Sequence, residues 1–122
     1  MADYIDVEQA MCEVLSLIAD TYTVTTAETP RPHIQVNRTG GYRKPWQDQA
    51  FITVTVVCST RDESVQLDKA VSALISDARG VATPSGLIDK ISPSNAPMPV
   101  PYPSATDDRE ITSTWLVTSR IQ

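Results

Sequence analysis

The stretch Ala50-Phe51-Ile52-Thr53-Val54-Thr55-Val56-Val57-Cys58-Ser59, followed at once by Thr60-Arg61-Asp62-Glu63, decides the fold. Side chains alternate across a strand, so Ile52, Val54, Val56 and Cys58 share one face and Phe51, Thr53, Thr55 and Val57 the other. Both faces carry bulk, which predicts a central strand. Thr60, with Glu63 three residues on, is a capping box in which the hydroxyl accepts from a backbone N–H that has no helical partner. Behind it Val65 or Leu67, Ala70 or Val71, Leu74, Ile75 and Ala78 recur at helical spacing. Gly80 stands where a helix C-terminus favours glycine. A helix over 61–79 is therefore predicted directly after the strongest strand.

Upstream, Asp6 and Gln9 form a second capping signature. Val7, Met11, Val14, Leu15 and Ile18 make one apolar stripe, predicting a helix over 6–19 with Glu8 well placed for the helix dipole. Tyr22 to Thr26 is β-branched and aromatic, a first short strand. Pro30 and Pro32 break the chain. Then His33 to Arg38 alternates with Ile34 and Val36 on one face, and Gly40-Gly41 is expected to end that strand in a turn.

Downstream, Gly86 to Ile91 is a weaker strand candidate. Glu110 to Arg120 is a long one, with Trp115 and Val117 on one face and Leu116 among threonines on the other. The order α-β-β-β-α-β-β predicts an α+β fold: a mainly antiparallel or mixed sheet of about five strands, with two helices on one face. Between Ser92 and Arg109, Pro93, Pro97, Pro99, Pro101 and Pro103 predict a loop of extended polyproline geometry that forms neither helix nor ladder. The 122 residues fit one domain over 1–122.

The totals exclude several classes. Hydrophobic residues make up 41% and charged residues 20%, close to ordinary globular values. The apolar runs fall far short of the ~20 residues that a bilayer span needs, so no membrane partner is expected. Met1-Ala2-Asp3-Tyr4 puts no positive charge before an apolar stretch, unlike a secretory signal. Two cysteines, Cys12 and Cys58, are too few for a disulfide framework and read as packing residues in a reducing cytoplasm. A net charge of −5 argues against nonspecific nucleic-acid binding, whose affinity comes from Lys and Arg neutralising phosphates. The charge is unevenly spread. Residues 1–28 hold Asp3, Asp6, Glu8, Glu13, Asp20 and Glu28 with no base; residues 29–47 hold Arg31, Arg38, Arg43 and Lys44 with no acid. Either this marks two surfaces of opposite sign or it is chance in a short chain.

No residue constellation points to catalysis, a metal or a cofactor. His33 has no acid or cysteine at metal-ligand spacing and reads as an exposed or strand-edge residue. Neither cysteine sits beside a base in an electropositive sequence context. Asp107-Asp108-Arg109-Glu110 lacks the spacing of a calcium loop, and its arginine competes for the acids, so a solvated turn is the better reading. Gly40-Gly41 is followed by no Gly-Lys-Ser/Thr and is no phosphate loop. The segment Arg38-Thr39-Gly40-Gly41-Tyr42-Arg43-Lys44-Pro45-Trp46 interleaves bases and aromatics. It suits DNA contact, or a plain hairpin loop whose Trp46 folds back on the sheet. A protein-contact element suits it best, because Tyr, Trp and Arg are enriched at interface hot spots.

With these elements placed, the chain from Asp6 to about Arg79 resembles the tail-terminator proteins of long-tailed bacteriophages, particularly those infecting actinobacteria. The resemblance rests on the acid-capped first helix, Pro-x-Ile-x-Val-x-Arg-x-Gly-Gly at Pro32 to Gly41, and Asp48 before the central strand. Ser59-Thr60-Arg61 and a helix carrying Leu67 and Ala70 complete it. It implies a structural virion protein, assembled in the bacterial host cytoplasm, that forms a ring, usually a hexamer, on the last ring of tail-tube protein. Such a ring stops tube polymerisation and meets the head completion or connector protein, with DNA only as cargo passing through the channel. A related neck or tail-completion protein, a small DNA-binding module and a monomeric scaffold stay open as alternatives.

The interface expected on this reading comprises Arg38, Gly40, Gly41, Tyr42, Arg43, Lys44, Trp46, Arg61, Met98, Val100 and Tyr102. The basic segment is expected to pair with acids of the first helix or its flanks on the next copy. Reversing Arg38 and Arg43 to Glu should then block assembly and leave the fold intact. The loop over 92–109 is expected to be mobile in the free subunit and docked in the assembled neck.

Overall fold

The computed structural model describes residues 4–24, 29–30, 32–76, 78–99 and 109–120, without the side chains of Asn95, Met98 and Pro99. Its centre is β3 (Gln47–Cys58), paired antiparallel on one side with β2 (His33–Lys44) and on the other with β6 (Arg109–Arg120). The period-2 pattern holds along β3: Ala50, Ile52, Val54 and Cys58 are fully buried, while Phe51, Thr53 and Thr55 are half-buried. Cross-strand neighbours continue the apolar face, with Val36 opposite Val54, Trp115 opposite Ile52 and Val117 opposite Ala50. Helices α1 (Val7–Leu15) and α2 (Arg61–Ile75) bury Met11, Leu15, Val71 and Ile75 in one cluster with that face. The opposite face carries Thr53, Thr55, Thr112, Thr114 and Thr118 between Phe51 and Leu116, all half-buried.

The described elements run α-β-β-β-α-β-β-β, one strand more than expected, in a six-stranded sheet of order β1-β2-β3-β6-β5-β4. All pairings are antiparallel except that of β1 (Thr21–Tyr22) with β2. β1 is shorter than the strand expected over 22–26, and residues 25–28 lie outside the description. Both helices begin where the caps put them. Asp6 accepts from the Gln9 N–H at 3.1 Å and Thr60 from the Glu63 N–H at 3.2 Å. Both end early. Ser16 closes α1 in a turn rather than letting it reach Ala19. Ser76, with ψ of 125°, turns the chain out of α2 toward β4 (Arg79–Thr83) instead of continuing to Arg79. Leu74, expected in the apolar stripe, is 36% exposed. β4 has no alternation of its own to announce it; the hairpin through Pro84-Ser85 pairs it with β5 (Gly86–Pro99).

Two turns proposed from composition are strand. Gly40-Gly41 does not end β2. The register skips Thr39, which makes a β-bulge just before the pair, and the chain reverses instead at Pro45-Trp46 between the partners Lys44 and Gln47. Gly41 has φ +131°, and a Cβ there would overlap the backbone oxygen of Gln49, so the strand just past the bulge needs glycine. The second is the proline-rich stretch, expected to be unpaired from Ser92. β5 runs on to Pro99, pairing with β6 through register shifts at 93–95 and 95–98. The reason is the edge. β4 covers β5 only up to Lys90, and beyond it one side of β5 is open, where a missing proline N–H removes no ladder bond. Residues 100–108, the rest of the expected loop, lie outside the description.

Candidate functional site

The basic segment is the outer strand and tip of the β2–β3 hairpin. Its first arginine faces inward. Arg38 grips Asp48 with both guanidinium nitrogens, at 2.6 and 2.7 Å, and Asp48 is fully buried. These hydrogen bonds, opposed by partial burial and aided by the charges of Asp48 and Glu8, raise the Arg38 pKa above its ordinary value. The Arg38 backbone N–H, freed from regular pairing beside the bulge, donates to the Glu8 carboxylate at 2.9 Å. Arg43 approaches Asp48 at 3.6 Å and stacks over the Tyr4 ring at 4.8 Å, while the Tyr4 hydroxyl donates to the Lys44 carbonyl at 2.7 Å.

Within one chain, then, the start of α1 already meets the basic strand. The expected fold-neutral reversal of Arg38 and Arg43 is corrected by this geometry. A glutamate at 38 would set a second carboxylate against a buried one, so the fold itself would suffer.

What remains free on the hairpin is its tip. Tyr42 is 63% exposed and Trp46 62%, and Lys44 is exposed beside them. Trp46 does not fold back on the sheet. Tyr42 leans edge-on against Phe51 with ring centroids 6.3 Å apart, which steadies the tip without covering it.

The other expected interface residues do not gather there. Arg61 is exposed at the start of α2, beyond Cys58, and so at the far end of β3 from the tip. Met98 belongs to β5 opposite Thr112, nearer that far end, while Val100 and Tyr102 lie outside the described residues.

The same far end holds a feature that sequence reasoning missed. An apolar groove of about 490 Å³ opens between the end of α1, Pro32, the end of β3 and the first half of α2. Ile18, Ala19, Cys58, Leu67 and Ala70 line it, with Asp62, Glu63 and Gln66 on α2. The signal was present but ambiguous: Leu67 and Ala70 belong to the apolar stripe of α2, yet both stay only partly buried because the stripe is wider than the core it covers.

Groups considered for chemistry are held in structural roles. His33 is buried rather than exposed, with Nδ1 at 3.1 Å from the Pro30 carbonyl and its ring edge-on to Tyr22 at 6.0 Å. Burial, together with Glu8, Asp6 and Glu13, raises the Cys12 thiol to about 11. Glu13 clamps the β4–β5 turn, accepting from the Ser85 N–H at 3.0 Å and its hydroxyl at 3.1 Å. Although burial opposes it, those bonds lower the Glu13 pKa. No cluster of three or more metal-ligating side chains occurs among the described residues.

The family model described as phage tail termination protein matches residues 3–121. A chain from the virion of a native gene transfer agent particle superposes with a TM-score of 0.59 at 14% identity, over 92% of this chain and 84% of that one, and shares the fold. No curated protein matches in sequence.

Proposed function

This chain belongs to the phage tail termination protein family, and from that membership we propose that its copies, each one domain, cap the tail tube as a ring, halt tube polymerisation and join the tail to the head connector. It is a structural protein of the virion tail, and the family is not an enzyme family. The observation that carries the finer reading is the hairpin tip. Tyr42 and Trp46 are exposed at 63% and 62% on a strand pair anchored to the core by the Arg38–Asp48 bridge. Exposed aromatic side chains on an anchored strand pair are what a protein contact uses. The partners proposed are further copies in a ring of six, tail-tube protein below and a head completion protein above. DNA passes through the channel past a chain of net charge −5.

DNA binding by the hairpin is the weaker reading. Arg38 and, in part, Arg43 face Asp48, which removes charge that phosphates would need. The test is a phage carrying the gene with Tyr42→Ser and Trp46→Ser. Electron micrographs should show overlong or headless tails, and the parent gene supplied in trans should restore normal ones. Tails of normal length joined to heads in the mutant would overturn the proposal.

A further inference from the structure

We infer that the hairpin tip of one copy, led by Trp46, seats in the α1–α2 groove of the next copy, and that this is the contact that closes the ring. The inference rests on the ring proposed above. It begins with two unsatisfied surfaces. Trp46 stands 62% exposed at the turn. The groove, about 490 Å³ and lined by Ile18, Ala19, Cys58, Leu67 and Ala70, is among the described apolar hollows and has room for an indole.

Charge sorts the pairing. The tip carries Lys44, and the groove carries Asp62 and Glu63, so the matched arrangement is attractive, while tip against tip or groove against groove repels. The acids are placed there by the fold, because the first turn of α2 favours carboxylates at its N-terminus and directs them beside the groove.

Position then decides who the partner is. The tip precedes Gln47 and the groove adjoins Cys58, so the two lie at opposite ends of β3. Eleven residue steps of strand separate them by roughly 35 Å, beyond the reach of any side chain in the same copy. Two different, complementary patches at opposite ends of one subunit make a head-to-tail contact, the kind that repeats around a ring. Burying the indole supplies affinity, and the charges of Lys44, Asp62 and Glu63 fix register.

The experiment uses tails assembled with the full chain carrying Pro45→Cys, which leaves the Trp46 indole in place, and Gln66→Cys, treated with a mild oxidant. An intramolecular bridge is sterically impossible across that span, and both native thiols are buried. The expected result is a disulfide ladder of the protein, absent from either single variant. In parallel, Lys44→Glu and Glu63→Lys should each weaken association by roughly fivefold, and the double reversal should recover it. Both positions are exposed, so folding is preserved, as the thermal unfolding of each variant would verify. Capped tails with no ladder, and with the Lys44→Glu protein assembling as the parent does, would overturn the groove contact and leave the ring standing. If an amine crosslinker finds only single copies at tail ends, the ring falls and the inference with it.

Discussion

Arg38 directs both guanidinium nitrogens at the buried Asp48, and its own N–H at Glu8, so one residue ties α1, β2 and β3 together. Removing it leaves a carboxylate buried with Arg43, at 3.6 Å, as its ion-pair partner among the described residues. Breaking a buried ion pair in this way typically costs 3–5 kcal/mol, and Arg43 places the expected loss for Arg38→Ala at about 3 kcal/mol. Arg38→Lys keeps the charge but not the paired bonds and should fall between. Urea titrations of the three proteins test the order; equal midpoints would show that Asp48 has another partner.

Asp68 presents the opposite case. Its Oδ1 has no hydrogen-bond partner among the described residues, and burial raises its carboxyl above the ordinary 3.8. The native state therefore holds this proton more tightly than the unfolded chain does. The stability tied to it is complete below the unfolded value and falls as pH rises through the folded one. Asp68→Asn should thus be more stable than the parent at pH 7, by about 0.5–1 kcal/mol, with the difference vanishing in acid. Melting temperatures across that range give the sign directly.

At the scale of elements, the β2–β3 hairpin depends on its bulge. Gly40 and Gly41 both have positive φ, at +151° and +131°, but only at 41 would a Cβ strike backbone, at Gln49 and Ala50. At Gly40 nothing lies within 4 Å. Gly41→Ala is expected to destabilise by at least about 2 kcal/mol and to loosen the pairing of 41–44, whereas Gly40→Ala costs only backbone strain of about 1 kcal/mol. Amide hydrogen exchange along 41–50 would separate them: faster exchange in the first variant only. The glycine pair was visible in the sequence as a place where the chain does something unusual. Whether that is a turn or a bulge depended on Gln49 and Ala50 lying opposite, and pairing partners are not local information.

For the whole molecule, the two cysteines report on one core. Cys12 on α1 and Cys58 on β3 belong to the same buried cluster that both helices close. At pH 8 a thiol titrating at about 11 is ionised roughly once in a thousand, so Cys12 should not react from the native state at an appreciable rate. Both thiols should be alkylated together, at a rate set by global opening, and both should speed up equally in the Arg38→Ala protein. Mass spectra showing Cys12 modified well before Cys58 would indicate that α1 detaches by itself.

The sequence by itself determined the elements whose signals are local. Period-2 burial fixed β3 and β6, because the pattern of Ile52, Val54 and Val56, like that of Trp115 and Val117, is the face of the sheet written along the chain. Thr60 and Asp6 fixed the helix starts, because a cap is satisfied within three residues.

Tertiary structure decided everything that depended on distant partners. It extended β5 into the prolines, since an open edge tolerates a missing N–H. It created β4 by pairing, with no alternation to foretell it. It turned Arg38 inward, because burial of Asp48 demanded a counter-charge and the bulge brought that arginine to it. It assembled the groove from residues 18 to 70, which no reading along the chain could bring together. Alternation and capping act over a few residues; a cavity or a buried ion pair exists only once segments far apart in sequence have met.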